Sequence, residues 1–254
     1  MHIRHTRLLN IVHAKKRVSV ADLANALRVS EVTVRKDLSS LERKGLLRRE
    51  HGFAALSRSD DIGNHLSFNY ETKRRIAEQA AEIVHSGETV MIESGSCCTL
   101  LADELTANRR GVTIITNSAF LASYVRKAPG AHVILLGGEY QNESQVMVGP
   151  MIQQCLADFN VDKFFIGIDG MSQSGFMSND LMRSEAIRMM KQKARSLLIL
   201  TESAKFLQTG VVSLFPFSAV DAVFTDDQLS KEASKLFNTA GIKLHTVPFA
   251  EDSI

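Results

Sequence analysis

The 254-residue sequence predicts an α/β protein in two parts: an N-terminal winged helix-turn-helix domain and a larger domain built on a mainly parallel sheet. In residues 1–56, two short helical patterns flank a tight turn and precede a hairpin-like segment. From residue 73 onward, strand-like apolar runs alternate with helix-like runs. The polar stretch between them has no clear period and is interpreted as a linker. The predicted domains are therefore 1–56 and 73–254, joined by the linker 57–72.

The N-terminal prediction depends on capping signals and apolar spacing. Ser19 stands three residues before Asp22, as in a capping box, and opens a helix of about Ala21–Leu27. Ser30 can cap a second helix that runs from Glu31 to about Lys44, with Gly45 just beyond it. The face of that helix expected to be buried consists of Val34, Leu38 and Leu41. The segment "LLRREHGFAAL" then predicts two short strands that turn at His51-Gly52 and form a wing.

Such a domain places its second helix in the major groove of DNA, and its charge agrees with that role. Residues 1–56 contain 12 Lys and Arg but only 5 Asp and Glu, a net charge of +7, whereas the remainder of the chain carries −5. Alternatives remain: a solvated basic face, or a winged helix that binds protein. The candidate DNA-contacting residues are Ser30, Glu31, Thr33, Val34, Arg35, Lys36, Arg48, Arg49 and His51.

In the second domain, the strand-like runs are Thr89–Glu93, Val112–Thr116, His132–Leu136, Lys163–Gly167, Leu197–Thr201, Ala222–Thr225 and Lys243–Val247. The helical patterns are Arg75–His85, Thr99–Thr106, Ala119–Lys127, Gly149–Asp158, Ser184–Arg195 and Ser230–Ala240. Ligands of parallel sheets bind beyond the carboxyl ends of the strands, and small or polar residues follow six of these runs. The loops should therefore converge on one cleft.

The segment "ESGSCCT" at residues 93–99 is the most informative of these loops. Gly95 would let the backbone approach an anion, Ser96 and Cys98 offer side-chain donors, and the helix that starts near Thr99 directs amides and a positive dipole end outward. This pattern predicts a phosphate site without a metal; it contains neither a Walker loop nor a Gly-x-Gly-x-x-Gly fingerprint. The alternative is a tight strand–helix turn with no ligand.

Composition limits the other classes of function. No apolar run approaches the roughly 20 residues of a membrane helix, so no membrane contact is expected. Three cysteines, Cys97, Cys98 and Cys155, are too few for a disulfide framework, which favours reduced thiols and a cytoplasmic location. Neighbouring cysteines do not easily share a tetrahedral metal site, and the histidines show no ligand spacing. We therefore expect no metal and no cofactor.

The residues above resemble the DeoR-type bacterial transcriptional regulators over nearly the whole chain. The head pattern Ser-x-x-Thr-aliphatic-Arg-Arg/Lys-Asp-Leu-x-x-Leu is complete from Ser30 to Leu41, although Phe53 stands where the family usually has a second wing glycine. The family's effector domain is similar to ribose-5-phosphate isomerase, a Rossmann-like fold. Matching its motifs implies the effector-binding residues Glu93, Ser94, Gly95, Ser96, Cys97, Cys98, Thr99, Asn117, Gly137, Gly138, Asp169, Glu185 and Lys205. Departures are Glu for Asp at 93 and 202, Ala for Ser at 204, and two cysteines for threonines.

The resemblance implies a DNA-binding regulator, most simply a repressor of carbohydrate metabolism genes, whose operator affinity depends on a phosphorylated sugar. A homodimer or homotetramer is expected, because one winged helix reads too few bases for tight binding. The competing hypothesis is an active sugar-phosphate isomerase with a DNA-binding head. Asp169, Glu185 and Lys205 are groups that could move a proton in such an enzyme, although a binding site needs the same residue types.

Overall fold

The computed structural model describes residues 3–56 and 62–250. These residues form two compact units. The N-terminal unit extends to Glu71 and includes Ala250; the C-terminal unit runs from Thr72 to Phe249.

The N-terminal unit contains a helix-turn-helix and a small sheet. Its elements are α1 (Ile3–Lys15), β1 (Arg17–Ser19), α2 (Val20–Leu27), α3 (Glu31–Arg43), β2 (Arg48–Glu50), β3 (Phe53–Ala55) and α4 (Ile62–Ser67). The three strands pair antiparallel in the order β1-β3-β2. Ser19 and Ser30 cap α2 and α3 by accepting from the amides of Asp22 and Thr33. The predicted capping and the wing are therefore present.

Packing explains why this small unit holds its shape. The apolar faces of α1, α2 and α3 meet in one core, formed by Leu8, Leu9, Val12, Leu23, Val34, Leu38 and Leu41, each at most 1% exposed. Arg28, in the left-handed conformation at φ 54°, turns the chain between α2 and α3. Gly52, at φ 74°, turns the chain between β2 and β3, a conformation that glycine adopts without a steric cost.

Part of the expected linker is helical. Residues 57–61 lie outside the described residues, but α4 and the start of α5 (Tyr70–Ala81) occupy much of 62–72. Leu66 and Tyr70 are buried, at 0% and 1% exposure. The polar sequence hides these helices because α4 has only six residues, too few to show a helical period.

The C-terminal unit contains all seven predicted strands and all six predicted helices. In addition to α5, its elements are β4 (Thr89–Ile92), α6 (Ser96–Asn108), β5 (Val112–Thr116), α7 (Ala119–Val125), β6 (Ala131–Leu135), β7 (Glu139–Gln141), β8 (Val146–Val148), α8 (Met151–Cys155), β9 (Val161–Ile166), β10 (Gly170–Ser172), β11 (Gly175–Ser178), α9 (Leu181–Lys191), β12 (Ala194–Leu200), β13 (Val212–Pro216), β14 (Ala222–Asp226), α10 (Lys231–Thr239) and β15 (Lys243–Val247). Two 3₁₀ helices, Ser203–Leu207 and Phe217–Ala219, lie in the connections that follow β12 and β13.

The main sheet has seven parallel strands in the order β15-β14-β12-β9-β4-β5-β6. The chain runs from β4 through β5 to β6 at one edge and then returns to place β9 on the other side of β4. The strand order therefore reverses between β4 and β9. Open parallel sheets bind ligands at such a reversal, where the loops leaving two neighbouring strands diverge.

Two small antiparallel sheets were not predicted. One is the β7–β8 hairpin and the other has the order β10-β11-β13. Four of their five strands have three or four residues, too short for the alternating pattern that identifies a strand in sequence.

Candidate functional site

The first turn of α3 presents polar side chains to solvent. The Ser30 hydroxyl caps the helix and also lies 3.0 Å from the Thr33 hydroxyl. One turn further on, Arg35 donates to Glu31 at 2.5 Å, and its side chain remains 54% exposed. Lys36 is also exposed. These residues therefore share the accessible N-terminal half of the helix that the sequence assigned to base reading.

Val34 and Asp37 point inward, as do the core residues Leu38 and Leu41 of the same helix. Val34 is fully buried, so its side chain packs in the core and the expectation that it contacts DNA is wrong. Asp37 is 6% exposed and accepts hydrogen bonds from Arg4 at 2.5 Å and His5 at 3.1 Å. Burial opposes ionisation of Asp37, but these bonds outweigh it and hold its pKa below the ordinary value. Asp37 thus joins α1 to α3.

The wing carries the second group of predicted contacts. Arg48 is 63% exposed and pairs with Glu50 at 3.0 Å, while His51 is exposed in the turn. Arg49 donates to the Ser39 hydroxyl at 2.6 Å, so it is tied to α3 as well as to β2. Phe53, which departs from the family pattern, makes a cation–π contact, since the Arg17 guanidinium lies 3.6 Å from the centre of its ring.

Sequence reasoning overlooked Val32. It is the second residue of α3 and is 73% exposed, an unusual position for an aliphatic side chain. An apolar group here has the chemistry to contact a thymine methyl in the major groove. The helical period could have predicted that Val32 is exposed, since Val32 falls outside the buried face formed by Val34, Leu38 and Leu41.

In the C-terminal unit, the loop after β4 is organised around the buried carboxylate of Glu93. Glu93 is 1% exposed and accepts from the Ser94 hydroxyl at 2.5 Å and the Gly95 amide at 2.9 Å. It also accepts from the Gly167 amide at 3.2 Å, in the loop after β9. One carboxylate therefore joins the two loops that leave the sheet at its strand-order reversal.

The amide-rich start of α6 lies next to this carboxylate. Gly95 is the N-cap residue and provides no side-chain cap, while its carbonyl accepts from the Thr99 amide at 2.8 Å. By position, the amides of Ser96, Cys97 and Cys98 have no carbonyl partner within the helix. They and the helix dipole constitute a set of anion-binding groups, with Gly95 and Ser96 partly exposed.

Packing provides a second reason for the glycine at 95. A Cβ added there would lie 3.2 Å from the Cα of Gly167, and one added at Gly167 would lie 3.4 Å from the Cα of Gly95. The two loops are therefore in backbone contact. A bulky residue at 95 would push against the backbone, so such a variant would not test ligand approach alone.

Asp169 and Arg183 complete the groups at the reversal. The Asp169 carboxylate accepts from the Asn179 amide at 2.8 Å and the Ser178 hydroxyl at 3.3 Å. Nη2 of Arg183, near the start of α9, lies 3.7 Å from Asp169 and 4.0 Å from Glu93. The sequence patterns did not identify Arg183, because this residue of the first turn of α9 belongs to none of the motifs considered.

The two adjacent cysteines are buried beneath the loop. Burial, together with the charge of Glu202, raises the pKa of the Cys97 thiol. Burial and the charge of Glu93 raise the pKa of Cys98 well above its usual range. Both groups are therefore neutral thiols near pH 7 and small apolar contacts within the fold. Their side chains, at 3% and 0% exposure, do not face an open cleft.

The loop after β12 contains a buried charged group. Lys73, 3% exposed, pairs with Glu202, 9% exposed, at 3.1 Å. Ser203 donates to Asp226 at the end of β14 through its amide at 2.8 Å and its hydroxyl at 2.5 Å. Lys205 is half-buried and lies 3.5 Å from the Gln208 side chain. Helix α5 is thus connected to the loop in which Lys205 lies.

Other predicted site residues have separate structural roles. Asn117 is 1% exposed and donates to the Met147 carbonyl at 3.0 Å, which attaches β5 to β8, while its Oδ1 has no hydrogen-bond partner in the described part of the chain. Gly138 approaches the Val148 backbone, since an added Cβ would lie 2.5 Å from that carbonyl. Gly137 faces the Cys155 thiol. Glu185 is exposed and lies two residues from Arg183, on the other side of α9.

The described residues, 3–56 and 62–250, contain no group of three or more His, Cys, Asp or Glu side chains arranged to hold a metal ion. Among the same residues, no helix combines the length and apolar character of a membrane span.

Two family models match the chain. The model described as "DeoR-like helix-turn-helix domain" matches residues 4–60, and that described as "DeoR C terminal sensor domain" matches residues 68–227. The chain is 29% identical over 231 residues to the HTH-type transcriptional repressor CsqR of Escherichia coli K12, covering 88% of this chain and 87% of that protein. It is 28% identical over 227 residues to the glycerol-3-phosphate regulon repressor of the same strain, covering 88% and 90%.

Among solved structures, ribose 5 phosphate isomerase A from Neisseria gonorrhoeae overlaps 54% of this chain and 53% of that chain, with 14% identity and a TM-score of 0.41. The strand order of the C-terminal unit, rather than this partial overlap, establishes its α/β architecture.

Proposed function

This chain belongs to the DeoR family of DNA-binding transcriptional regulators, and from that membership we propose that it is a repressor of carbohydrate genes that senses a phosphorylated sugar or polyol. Residues 1–56 bind the operator and residues 73–254 bind the effector. The protein acts in the cytoplasm, where its DNA target is.

The observation that carries the effector proposal is the convergence at the reversal between β4 and β9. The loops after these strands are joined by Glu93 and by the contact between Gly95 and Gly167. Amides of α6 and the carboxylates of Glu93 and Asp169 lie at the same edge of the sheet. Amides suit a phosphate, and the partly exposed carboxylate of Asp169 suits a sugar hydroxyl, so these groups match the two ends of a sugar phosphate.

The DNA proposal is supported by α3 and the wing. Exposed Arg35 and Lys36 lie on the base-reading half of the helix, and Arg48 lies on the adjacent strand. A second copy of the chain is required, because a single helix reads one half-site and buries too little for operator affinity. We therefore propose a two-fold oligomer, either a homodimer or a homotetramer built as a dimer of dimers.

A screen of sugar and polyol phosphates by thermal shift tests the proposal. An effector at 100 times its dissociation constant stabilises the folded chain by about 2.7 kcal/mol. The unphosphorylated counterpart of each hit should give no comparable shift. If only unphosphorylated compounds stabilise the protein, the effector class is wrong.

The same samples test the competing enzyme hypothesis. Asp169 is occupied by the Asn179 amide and the Ser178 hydroxyl, and Glu185 is exposed on α9 away from Arg183. These groups do not form one acid–base cluster, so each phosphate ester should be recovered unchanged after long incubation. Isomerised product, followed by chromatography, would contradict a pure sensor.

A further inference from the structure

We propose that Arg183 binds the phosphate of the effector together with the amides of α6, an inference that rests on the proposed phosphate-sensing function. Neither the sequence motifs nor the family resemblance assigns a role to this residue. Its position follows from α9, which begins at Leu181 after the Asp180 side chain caps it by accepting from the Arg183 amide at 2.8 Å. The backbone of Arg183 is therefore fixed at the first turn of the helix.

The site needs a cation, and within the described parts of the chain Arg183 is the one that lies within 4.0 Å of Glu93. Glu93 already occupies the amides of Gly95 and Gly167, and its negative charge offsets much of the positive potential of the α6 N-terminus. A phosphate dianion placed beside a buried carboxylate would be repelled unless a positive group accompanied it. Arg183, between Glu93 and Asp169, can provide that charge.

The guanidinium still has donors available for a ligand. Its contacts with Asp169, at 3.7 Å, and Glu93, at 4.0 Å, are longer than hydrogen bonds, so they orient the group by charge without using its N–H groups. Its Nε is buried and has no hydrogen-bond partner among residues 3–56 and 62–250. A planar fork with unused donors, directed by two carboxylates, matches the bidentate geometry of a phosphate.

The side chain is also placed to reach the ligand. It is 24% exposed, and it faces the Glu93 oxygen opposite the one that accepts from Gly95. The Glu93 carboxylate is therefore flanked by the Arg183 guanidinium on one oxygen and by the amide of Gly95, the N-cap residue of α6, on the other. Asp169 is partly exposed and uses only its Oδ2 for the Ser178 hydroxyl and the Asn179 amide, so its Oδ1 remains to accept from a hydroxyl on the rest of the ligand.

Binding of inorganic phosphate to the full-length protein, at constant ionic strength maintained with chloride, tests this role. We expect Arg183→Gln to weaken phosphate affinity by about tenfold to a hundredfold, as expected for loss of charge-assisted hydrogen bonds. Arg183→Lys should recover part of the loss. Arg195→Gln is the matched control, because the Arg195 side chain is 84% exposed and lies near the amino end of β12, whereas the proposed site is at the carboxyl ends of the strands. The phosphate affinity of this variant should equal that of the wild type.

A charge-matched double variant distinguishes direct binding of phosphate by Arg183 from neutralisation of the nearby carboxylates by Arg183. Arg183→Gln with Asp169→Asn has the same net charge as the wild type at these two positions, and the carboxamide oxygen introduced by Asp169→Asn can still accept from the Asn179 amide. If Arg183 holds the phosphate, the double variant stays as weak as Arg183→Gln. Recovery to wild-type affinity, or unchanged affinity in Arg183→Gln alone, overturns the inference while the sensing function stands. If the wild type itself binds neither phosphate nor any phosphate ester, the proposed function fails, and the inference fails with it.

Discussion

Arg35 has both properties expected of a base-reading side chain: it is exposed, and its direction is set before DNA arrives. Glu31, one helical turn earlier, accepts from its guanidinium at 2.5 Å. The pair costs little to break at the surface, since exposed ion pairs contribute only about 0–1 kcal/mol. Arg35 can therefore exchange Glu31 for a guanine edge, where a bidentate contact is worth about 1–3 kcal/mol of discrimination.

We predict that Arg35→Ala weakens operator binding by about 1–3 kcal/mol and relaxes the preference for operator over random DNA. Arg43→Ala, at the other end of α3, is the control and should change both affinities by the same small factor. Fluorescence anisotropy with labelled operator and random duplexes measures the two ratios. If Arg35→Ala keeps the full preference for operator, α3 is not the reading helix.

The cysteines provide a prediction about reactivity. Burial raises the pKa of both Cys97 and Cys98, with Glu202 and Glu93 adding to the effect, so neither forms a thiolate near pH 7. Cys155 is only partly buried and serves as the internal control. Iodoacetamide applied to the native protein at about pH 8, near the ordinary pKa of a free thiol, should label Cys155 first, as followed by peptide mass spectrometry. Faster labelling of Cys97 or Cys98 would reopen a redox role for the loop.

Helix α5 contacts two parts of the C-terminal unit, the end of β15 and the loop after β12. Tyr70 and Glu71 belong to the N-terminal unit, and the rest of the helix to the C-terminal unit. Arg75 and Gln79 donate to the carbonyls of Pro248 and Thr246, beyond and within β15. Lys73 pairs with Glu202 in the loop after β12. A change in that loop on ligand binding would therefore act directly on α5.

We predict that Lys73→Met lowers the free energy of unfolding by about 3–5 kcal/mol, because Glu202 keeps its buried charge and loses this partner. Lys73→Met with Glu202→Gln should recover much of the loss. Arg195→Met, which breaks an exposed pair with Asp162, should cost about 0–1 kcal/mol. Urea denaturation of the wild type and these three variants provides the comparison. Equal stabilities of the single and double Lys73 variants would show that an unpaired Glu202 charge is not what destabilises Lys73→Met.

Elements whose period extends over several turns could be predicted from the sequence, and short ones could not. The strand Val112–Thr116 and the caps at Ser19 and Ser30 are where the pattern placed them. The three-residue strands of β7–β8 and the six-residue α4 leave no period to detect. Arg183 was missed for a different reason: its role depends on the distances to Glu93 and Asp169, which only the folded chain determines.

The two parts of the chain carry net charges of opposite sign. Residues 1–56 carry +7 and the remainder −5, so attraction to DNA is concentrated in the head while the acidic body is repelled. An effector can alter operator affinity only if it binds the DNA-competent and DNA-incompetent states unequally. Under the proposed function, the effector changes operator affinity by the same factor by which operator changes effector affinity, because one coupling free energy links the two sites.

We predict that residues 73–254 alone bind the effector and do not bind DNA, and that residues 1–56 alone bind DNA weakly without responding to the effector. Their separate cores, around Leu38 in the head and Phe164 in the body, support independent folding. Circular dichroism establishes whether each fragment folds, and calorimetry and gel shift measure the two activities. If DNA binding by the isolated residues 1–56 responded to the effector, the assignment of the sensing site to residues 73–254 would be wrong.

The most direct test of the central claim is the operator affinity of the full-length protein with and without its phosphorylated effector. Fluorescence anisotropy at fixed salt gives the dissociation constant for operator in three conditions: no effector, saturating phosphorylated effector, and the same concentration of the free sugar or polyol. We expect the phosphorylated compound to change the constant by about 5- to 150-fold, the usual range of allosteric coupling, and the free compound to leave it unchanged. Operator affinity that stays constant at saturating phosphorylated effector, or that responds equally to the free compound, would contradict a phosphate sensor coupled to a DNA-binding head.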